Sequence, residues 1–210
     1  MTLEIKIFVE GGSTGNMQEL RQGFDALLDS QKQAARKHRV LWRLAMRGSR
    51  QQTYEAFIHA TAHHANQIIV LLVDAEERIT YQGNKAHVTH LEQRDKWKLS
   101  AVCPDRVHLM VQTMETWLVA DIDALRRYYG QGFNSSALPQ RQNLEEEPKQ
   151  AIYAALTRAT QQTQKGEYAK IKHASQLLGK IRPDRIAARC PRFALLTQWL
   201  DKTIAQASNL

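Results

Sequence analysis

Three acidic residues stand at the ends of two predicted strands. Glu10 ends a strand over residues 3–9, and Asp74 and Glu76 follow an apolar strand over residues 68–73. Because the carboxyl ends of parallel strands line the ligand crevice of an open α/β sheet, these carboxylates converge if the two strands are neighbours. Mg²⁺ and Mn²⁺ prefer oxygen ligands, and Mg²⁺ usually keeps several waters, so two or three carboxylates suffice to bind one ion.

A metal ion held there would favour phosphodiester chemistry, because it can activate water and stabilise a leaving oxygen. We therefore take Glu10, Asp74 and Glu76 as candidate catalytic residues and metal ligands, with general acid or base catalysis as an alternative for Glu10. Asp74 and Glu76 are two positions apart, so they share a face of an extended backbone. The structural alternative is that these acids only end strands and cap helices.

Glu115 is a fourth candidate metal ligand. It follows a predicted strand over residues 107–111, and the same crevice argument places it near the other acids. It would bind the ion or orient a residue that does. Hydrogen bonding to the start of the next helix is the structural alternative, and Asp121 and His108 are weaker candidates.

The elements that position these acids alternate along the chain. Strands are predicted over residues 3–9, 40–46, 68–73 and 107–111, with helical segments after most of them. This order predicts an α/β protein with a mostly parallel sheet flanked by helices. Beyond residue 130 the pattern changes to a linker and then helices over residues 149–163, 174–180 and 191–207. We therefore expect a core over residues 1–130 and a helical C-terminal extension over residues 131–210 packed on it.

The composition indicates a globular protein with a polyanionic partner. The 210 residues include 29 Lys and Arg against 21 Asp and Glu, a net charge of +8. Two cysteines, Cys103 and Cys190, exclude a disulfide framework. The longest apolar run, residues 68–73, is too short for a membrane span, which needs about 20 residues. With no signal-peptide pattern at the start, we expect a soluble cytoplasmic protein.

Two regions concentrate the positive charge. Residues 31–50 carry seven Lys or Arg and no acid, and residues 149–192 carry ten against two acids. Such patches give salt-sensitive, sequence-independent affinity for nucleic acid, although a charged run is also typical of an ordinary solvated surface. An aromatic side chain among them can stack on a base. The candidate residues for phosphate or nucleic-acid contact are Arg47, Lys165, Tyr168, Lys170, Lys172 and His173.

The acidic motifs resemble a known domain. Residues 9–11 (Val-Glu-Gly) and 71–76 (Leu-Leu-Val-Asp-Ala-Glu) resemble the TOPRIM domain of topoisomerases, primases and overcoming-lysogenization-defect nucleases, which has Asp-x-Asp where this chain has Asp-x-Glu. Residues 107–121, 128–131 and 165–173 are similar to the bacterial domain-of-unknown-function family 4276. That resemblance implies a TOPRIM-like, Rossmann-like fold, a metal site, and an AAA or ABC-type ATPase encoded beside it in defence loci.

Three functions follow as hypotheses. The first is a Mg²⁺- or Mn²⁺-dependent phosphodiesterase acting on DNA or RNA, as the effector of a phage-defence system with an ATPase partner. The second is a non-catalytic scaffold that binds nucleic acid or the ATPase, and the third is a phosphate-ester hydrolase that uses the glycine-rich loop at residues 10–16. The sequence leaves the oligomeric state open, including a homodimer.

Overall fold

Four parallel strands form the sheet. In the computed structural model, which describes residues 3–11, 16–64 and 67–207, the strands are β1 (Glu4–Glu10), β2 (Leu41–Arg47), β3 (Gln67–Asp74) and β4 (Val107–Met110). Their order is β2-β1-β3-β4, and all three pairings are parallel. The α/β prediction with a parallel sheet is confirmed. Because β1 and β3 are neighbours, the strands that end in Glu10 and Asp74 finish side by side.

Helices cover both faces of the sheet. β3 is apolar on both sides from Ile69 to Val73, because these five residues are buried alternately in two hydrophobic clusters. The helices are α1 (Met17–Leu27), α2 (Asp29–Lys37), α3 (Arg50–His63), α4 (Ala86–Asp95), α5 (Glu115–Ala120), α6 (Ile122–Tyr129), α7 (Lys149–Thr160), α8 (Lys170–Leu178), α9 (Pro183–Arg189) and α10 (Pro191–Ala207). Short 3-10 turns occur at Pro104–Arg106, Ser135–Ala137 and Leu144–Glu146.

One hydrophobic core runs across the boundary at residue 130. Trp117 in α5 contacts Phe24 in α1 and Phe193 in α10, with ring centroids 6.3 Å and 4.8 Å away. Edge-to-face contacts of this kind add to the energy of burying three large rings. Arg182, before α9, also donates hydrogen bonds of 3.0–3.1 Å to the carboxylate of Asp121. The C-terminal extension therefore completes one face of the sheet's core.

The helix after β2 begins with a complete capping box. The Ser49 side chain accepts a hydrogen bond from the backbone N–H of Gln52, and the Gln52 side chain accepts one from the backbone N–H of Ser49. This arrangement fixes where α3 starts and places Arg50 in its first turn. Gly11 is confined at the end of β1, since a Cβ there would lie 2.6 Å from the carbonyl oxygen of Arg47.

Several helix predictions differ from the structure. The sequence from Leu91 to Trp97 predicts a short helix, but α4 begins at Ala86 and ends at Asp95. The prediction has no counterpart of α9, whose seven residues include one buried side chain, Ile186. The apolar series from Met17 to Leu27 belongs to α1, Leu28 caps that helix, and a second helix starts at Asp29. Residues 12–15 of the glycine-rich loop lie outside the described residues. Among the described helices, none has the length and apolar character needed to cross a membrane.

Candidate active site

Asp74 is buried at the carboxyl end of β3. Its Cα pairs with that of Met110 in β4, and the chain then turns from β4 into α5. Through that turn the backbone N–H of Met114 donates to Oδ1 of Asp74 at 2.8 Å, and the Thr113 hydroxyl lies 3.3 Å from Oδ2. The carboxylate is thus held by the chain segment that joins β4 to α5.

Glu115 lies beside Asp74 and is completely buried. The Thr113 hydroxyl donates to its Oε2 at 2.7 Å, and the Tyr168 hydroxyl donates to its Oε1 at 2.9 Å. Thr113 therefore stands between the two carboxylates. Both oxygens of Glu115 have donors, as a buried carboxylate requires.

The ammonium group of Lys170 lies across these two acids. Its Nζ is 3.7 Å from Oδ2 of Asp74 and 3.6 Å from Oε1 of Glu115. Burial lowers the pKa of Lys170, but the charges of Asp74 and Glu115 outweigh that effect and hold the pKa above its usual value. The Lys170 side chain is 47% exposed, so it can leave this position without opening the core.

Burial and repulsion by neighbouring acids also raise the pKa values of Asp74 and Glu10. Burial raises the pKa of Asp74 to about 7; Lys170 opposes this shift, and the charges of Glu115, Glu10 and Glu76 add to it. Burial likewise raises the pKa of Glu10, against the effect of Arg50 and with that of Glu76. The four acids therefore interact electrostatically, and we call Glu10, Asp74, Glu76 and Glu115 the acid cluster.

Arg50 anchors the Glu10 side of the acid cluster. Its guanidinium group binds both oxygens of Asp95 at 2.8 Å, donates to the backbone carbonyl of Asp74 at 2.6 Å and lies 3.3 Å from Oε2 of Glu10. It also lies 5.0 Å from the ring centroid of Trp97. One side chain thus ties the end of β3 to Glu10 and α4.

Glu76 does not share an extended face with Asp74, contrary to the sequence-based expectation. β3 ends at Asp74, and Glu76 adopts a left-handed φ of 69° that few residues other than glycine populate. Its backbone N–H donates to the carbonyl of Gln112 at 2.7 Å, and its carboxylate pairs with the ammonium group of Lys149. This pairing turns Glu76 toward the start of α7.

The expected phosphate contacts divide into exposed and buried groups. Lys165 and Lys172 are exposed, and Arg47 is exposed at the end of β2 with its guanidinium 5.4 Å from the Phe8 ring centroid. Tyr168 and His173 are instead buried among the apolar side chains of the extension. Because Tyr168 donates to Glu115 inside the protein, its ring is not available to stack on a base in this conformation.

The two weaker candidates, His108 and Asp121, contact residues outside the acid cluster. His108 is mostly buried in β4 with its ring 5.1 Å from Trp199, and burial lowers its pKa to about 3. Asp121 caps α6 by accepting from the N–H of Ala124 and pairs with Arg182. Neither takes part in the hydrogen bonds of Asp74 or Glu115 described above.

Similarity to a protein family covers most of the elements described above. The family model Domain of unknown function (DUF4276) matches residues 6–201. The chain belongs to this family. The match includes all four residues of the acid cluster and crosses residue 130, so the DUF4276 region contains both the core and most of the extension. Comparisons with curated proteins and with solved structures found no match.

The acid cluster of this DUF4276 protein offers oxygen ligands, but they are engaged by cations. In the described part of the chain, no group of three or more His, Cys, Asp and Glu side chains is arranged to hold a metal ion. The four acids are instead paired with cations: Arg50 contacts Glu10, Lys149 contacts Glu76, and Lys170 bridges the two buried acids. Of these three positions, that of Lys170 brings two acids of the cluster, Asp74 and Glu115, to one point.

Several residues of this site carry no signal in the sequence. Arg50 is one of seven basic residues in its region, and Lys149 follows an acidic linker with no motif around it. Thr113 lies two positions after the predicted fourth strand, where the crevice argument could have selected it. The pairing of Arg50 with Asp95 joins residues 45 positions apart, so only the fold reveals it.

Proposed function

We propose that this DUF4276 protein is a Mg²⁺- or Mn²⁺-dependent phosphodiesterase that cleaves nucleic acid and has a TOPRIM-like core. One observation carries the proposal: two buried carboxylates, Asp74 and Glu115, meet around a single positive charge at the carboxyl edge of the parallel sheet. That position has the oxygen donors and the negative charge that a hard divalent cation requires. Its place at the strand ends is where open α/β sheets bind their ligands.

Asp74 and Glu115 would hold the ion directly once Lys170 moves out from between them. Glu10 and Glu76 would contribute from either side through water, while they keep their pairs with Arg50 and Lys149. When bound, such an ion supplies activation of water and stabilisation of the leaving oxygen of a phosphodiester. The donor chemistry fits this ion, since the site offers carboxylate oxygens and neither a thiolate nor an imidazole.

The chain's own cations would position the phosphate. Lys170, released from the two carboxylates, remains beside them as a charged donor for a non-bridging phosphate oxygen. Arg50 keeps Glu10 and the end of β3 in fixed relation through its bonds to Asp95 and to the Asp74 carbonyl. The exposed side chains of Arg47 and Lys172 would contact neighbouring phosphates.

The test is cleavage of end-labelled DNA and RNA in the presence of Mn²⁺ or Mg²⁺. Asp74→Asn and Glu115→Gln should abolish metal-dependent cleavage while circular dichroism shows an intact fold. Glu77→Gln, which neutralises an exposed acid three positions after Asp74, is the matched control and should retain activity. Full activity in both cluster variants would refute the proposal.

A second candidate function is a non-catalytic scaffold in a phage-defence system. The specific observation in its favour is that each acid of the cluster already has a cationic partner within the protein. On this reading the positive surface holds nucleic acid or an AAA or ABC-type ATPase. Calorimetry that detects no binding of millimolar Mn²⁺, together with nucleic-acid binding that persists in EDTA, would favour the scaffold.

A further inference from the structure

A groove between α6, α8 and the loop before α8 carries three positive side chains. It has a volume of about 530 Å³ and contains no acidic residue in its wall. We call it the basic groove, and it is lined by Ala124, Arg127, Tyr128, Lys165, Gln176 and Lys180. Of the three cations, Lys165 is the one among the candidate residues predicted from the sequence, because the other two lie 38 positions before it and 15 positions after it.

The three cations of the basic groove are available to a ligand. Arg127, Lys165 and Lys180 are exposed, and none of them forms a salt bridge with an acid in the described parts of the chain. In contrast, Arg50, Lys149 and Lys170 are all paired in the acid cluster. Unpaired cations around a polar concavity are the usual arrangement for binding phosphate groups.

The aromatic wall of the groove is fixed in a way that disfavours base recognition. The Tyr128 hydroxyl donates to Oε1 of Gln176 at 3.1 Å, and the Lys165 ammonium lies 5.0 Å from the centroid of the Tyr128 ring. A cation therefore covers that ring, and a base cannot stack on the same face. The charged groups of Arg127, Lys165 and Lys180 remain accessible, and such groups contact phosphates irrespective of the base sequence.

The basic groove is connected to the acid cluster by a short piece of chain. Lys165 lines the groove, Tyr168 donates to Glu115, and Lys170 lies between Asp74 and Glu115. Five residues span at most about 18 Å when fully extended. Successive phosphates of one strand advance about 3.4 Å along a duplex. A strand that contacts both Lys165 in the basic groove and Lys170 in the acid cluster would therefore have about five nucleotides at most between these contacts.

We infer that the basic groove binds the phosphate backbone of a nucleic acid, without reading its bases, and guides that strand toward the acid cluster. The destination of the strand depends on the proposed function, whereas binding to the groove does not. The ligand class is a phosphodiester polymer, and DNA and RNA are separate arms of the test.

The experiment measures binding by fluorescence anisotropy with labelled 25-nucleotide single-stranded DNA, duplex DNA and single-stranded RNA in EDTA. The variant is the triple substitution Arg127→Gln, Lys165→Gln and Lys180→Gln. The control, with the same change in net charge at exposed positions outside the two basic regions, is Lys85→Gln, Lys98→Gln and Lys202→Gln. Titrations from 50 to 200 mM salt give the number of phosphate contacts, and circular dichroism verifies the fold.

We expect the groove variant to bind at least one of the three probes about a hundredfold more weakly at 100 mM salt. The slope of log affinity against log salt should fall by about 2 to 3, which corresponds to three lost phosphate contacts. The control should stay within threefold of the wild type. If the triple variant does not fold, Lys180→Glu alone replaces it, with an expected loss in the same direction.

An equal loss in the control overturns the inference, because it would mean that only net charge matters. Absence of wild-type binding to all three probes also overturns it, as does unchanged binding by the groove variant. Binding that needs the groove but no metal, in a protein that cleaves nothing, would support the groove and refute the phosphodiesterase. Metal-dependent cleavage with a dispensable groove would do the reverse.

Discussion

The hydroxyl of Tyr168 donates a 2.9 Å hydrogen bond to Oε1 of Glu115, across 53 residues of sequence. Both side chains are buried, and burial and the charge of Glu115 raise the pKa of Tyr168 well above its usual value. The hydroxyl therefore stays protonated and remains a donor at any physiological pH. Through this bond a residue of the C-terminal extension fixes an acid of the core.

Removing that hydroxyl should destabilise the protein. We expect Tyr168→Phe to lower the free energy of unfolding by about 1–3 kcal/mol, because it leaves a buried carboxylate oxygen without its donor. Urea unfolding followed by tryptophan fluorescence measures the change. Tyr81→Phe, at a ring that is 40% exposed, is the control and should change the stability little. A Tyr168→Phe stability equal to that of the wild type would contradict this account of Glu115.

The acid cluster should make stability depend on pH. Burial raises the pKa of Asp74 to about 7, whereas an unfolded Asp titrates near 3.9. Between these values the folded chain binds more protons than the unfolded chain, so stability falls as the pH rises through this window. We expect Asp74→Asn to reduce that slope and to raise the melting temperature at pH 8.

Thermal unfolding from pH 4 to 8 tests this expectation. Part of the slope should remain in Asp74→Asn, because burial also raises the pKa of Glu145 to about 7. Glu77→Gln, at an exposed acid, should keep the full wild-type slope. An Asp74→Asn curve parallel to that of the wild type would mean that Asp74 ionises normally in the folded protein.

Divalent cations should stabilise the folded chain if the acid cluster binds them. At an ion concentration ten times the dissociation constant, binding to the native state alone adds about 1.4 kcal/mol to the free energy of unfolding. We expect 10 mM Mn²⁺ to raise the melting temperature by a few degrees at pH 8, and the rise to disappear in Glu115→Gln. An equal rise in wild type and variant would place the ion elsewhere.

Arg50 should not be replaceable by lysine. Its planar guanidinium binds both oxygens of Asp95 while it donates to the Asp74 carbonyl, and a single ammonium group cannot reproduce this geometry. We expect Arg50→Lys to lower the free energy of unfolding by about 1–3 kcal/mol. Arg36→Lys, at an exposed position of α2, is the control and should be neutral in the same urea titration.

The elements with strong local signals could be predicted from the sequence. β3 has an uninterrupted apolar run, and its predicted span of residues 68–73 lies within one residue of the observed strand at each end. The limits of α10 match the prediction of residues 191–207. The prediction has no counterpart of α9, because two arginines, an aspartate and a proline leave its seven residues without a recognisable apolar period. The relation of the core to a TOPRIM domain remains a prediction.

The candidate site could be predicted only in part. The crevice argument predicts Asp74, Glu10 and Glu115 at one edge of the sheet, because the end of an apolar run in the sequence marks the end of a strand. It did not reveal that Lys170 lies between two of them or that Glu76 turns toward Lys149. Such pairings depend on where distant helices pack, and no local pattern encodes that. Tyr168 shows the same limit, because an aromatic beside lysines is typical of an exposed contact and also of a buried anchor.

The shared position of Tyr168 and Lys170 has a practical consequence for dissecting the molecule. An excised fragment that ends near residue 130 would retain every strand yet lack the donor to Glu115 and the ammonium group beside Asp74. It would also expose the apolar surface that α8 and α10 cover. A shortened protein that is meant to keep the acid cluster intact should therefore include the C-terminal extension, because the extension supplies both Tyr168 and Lys170.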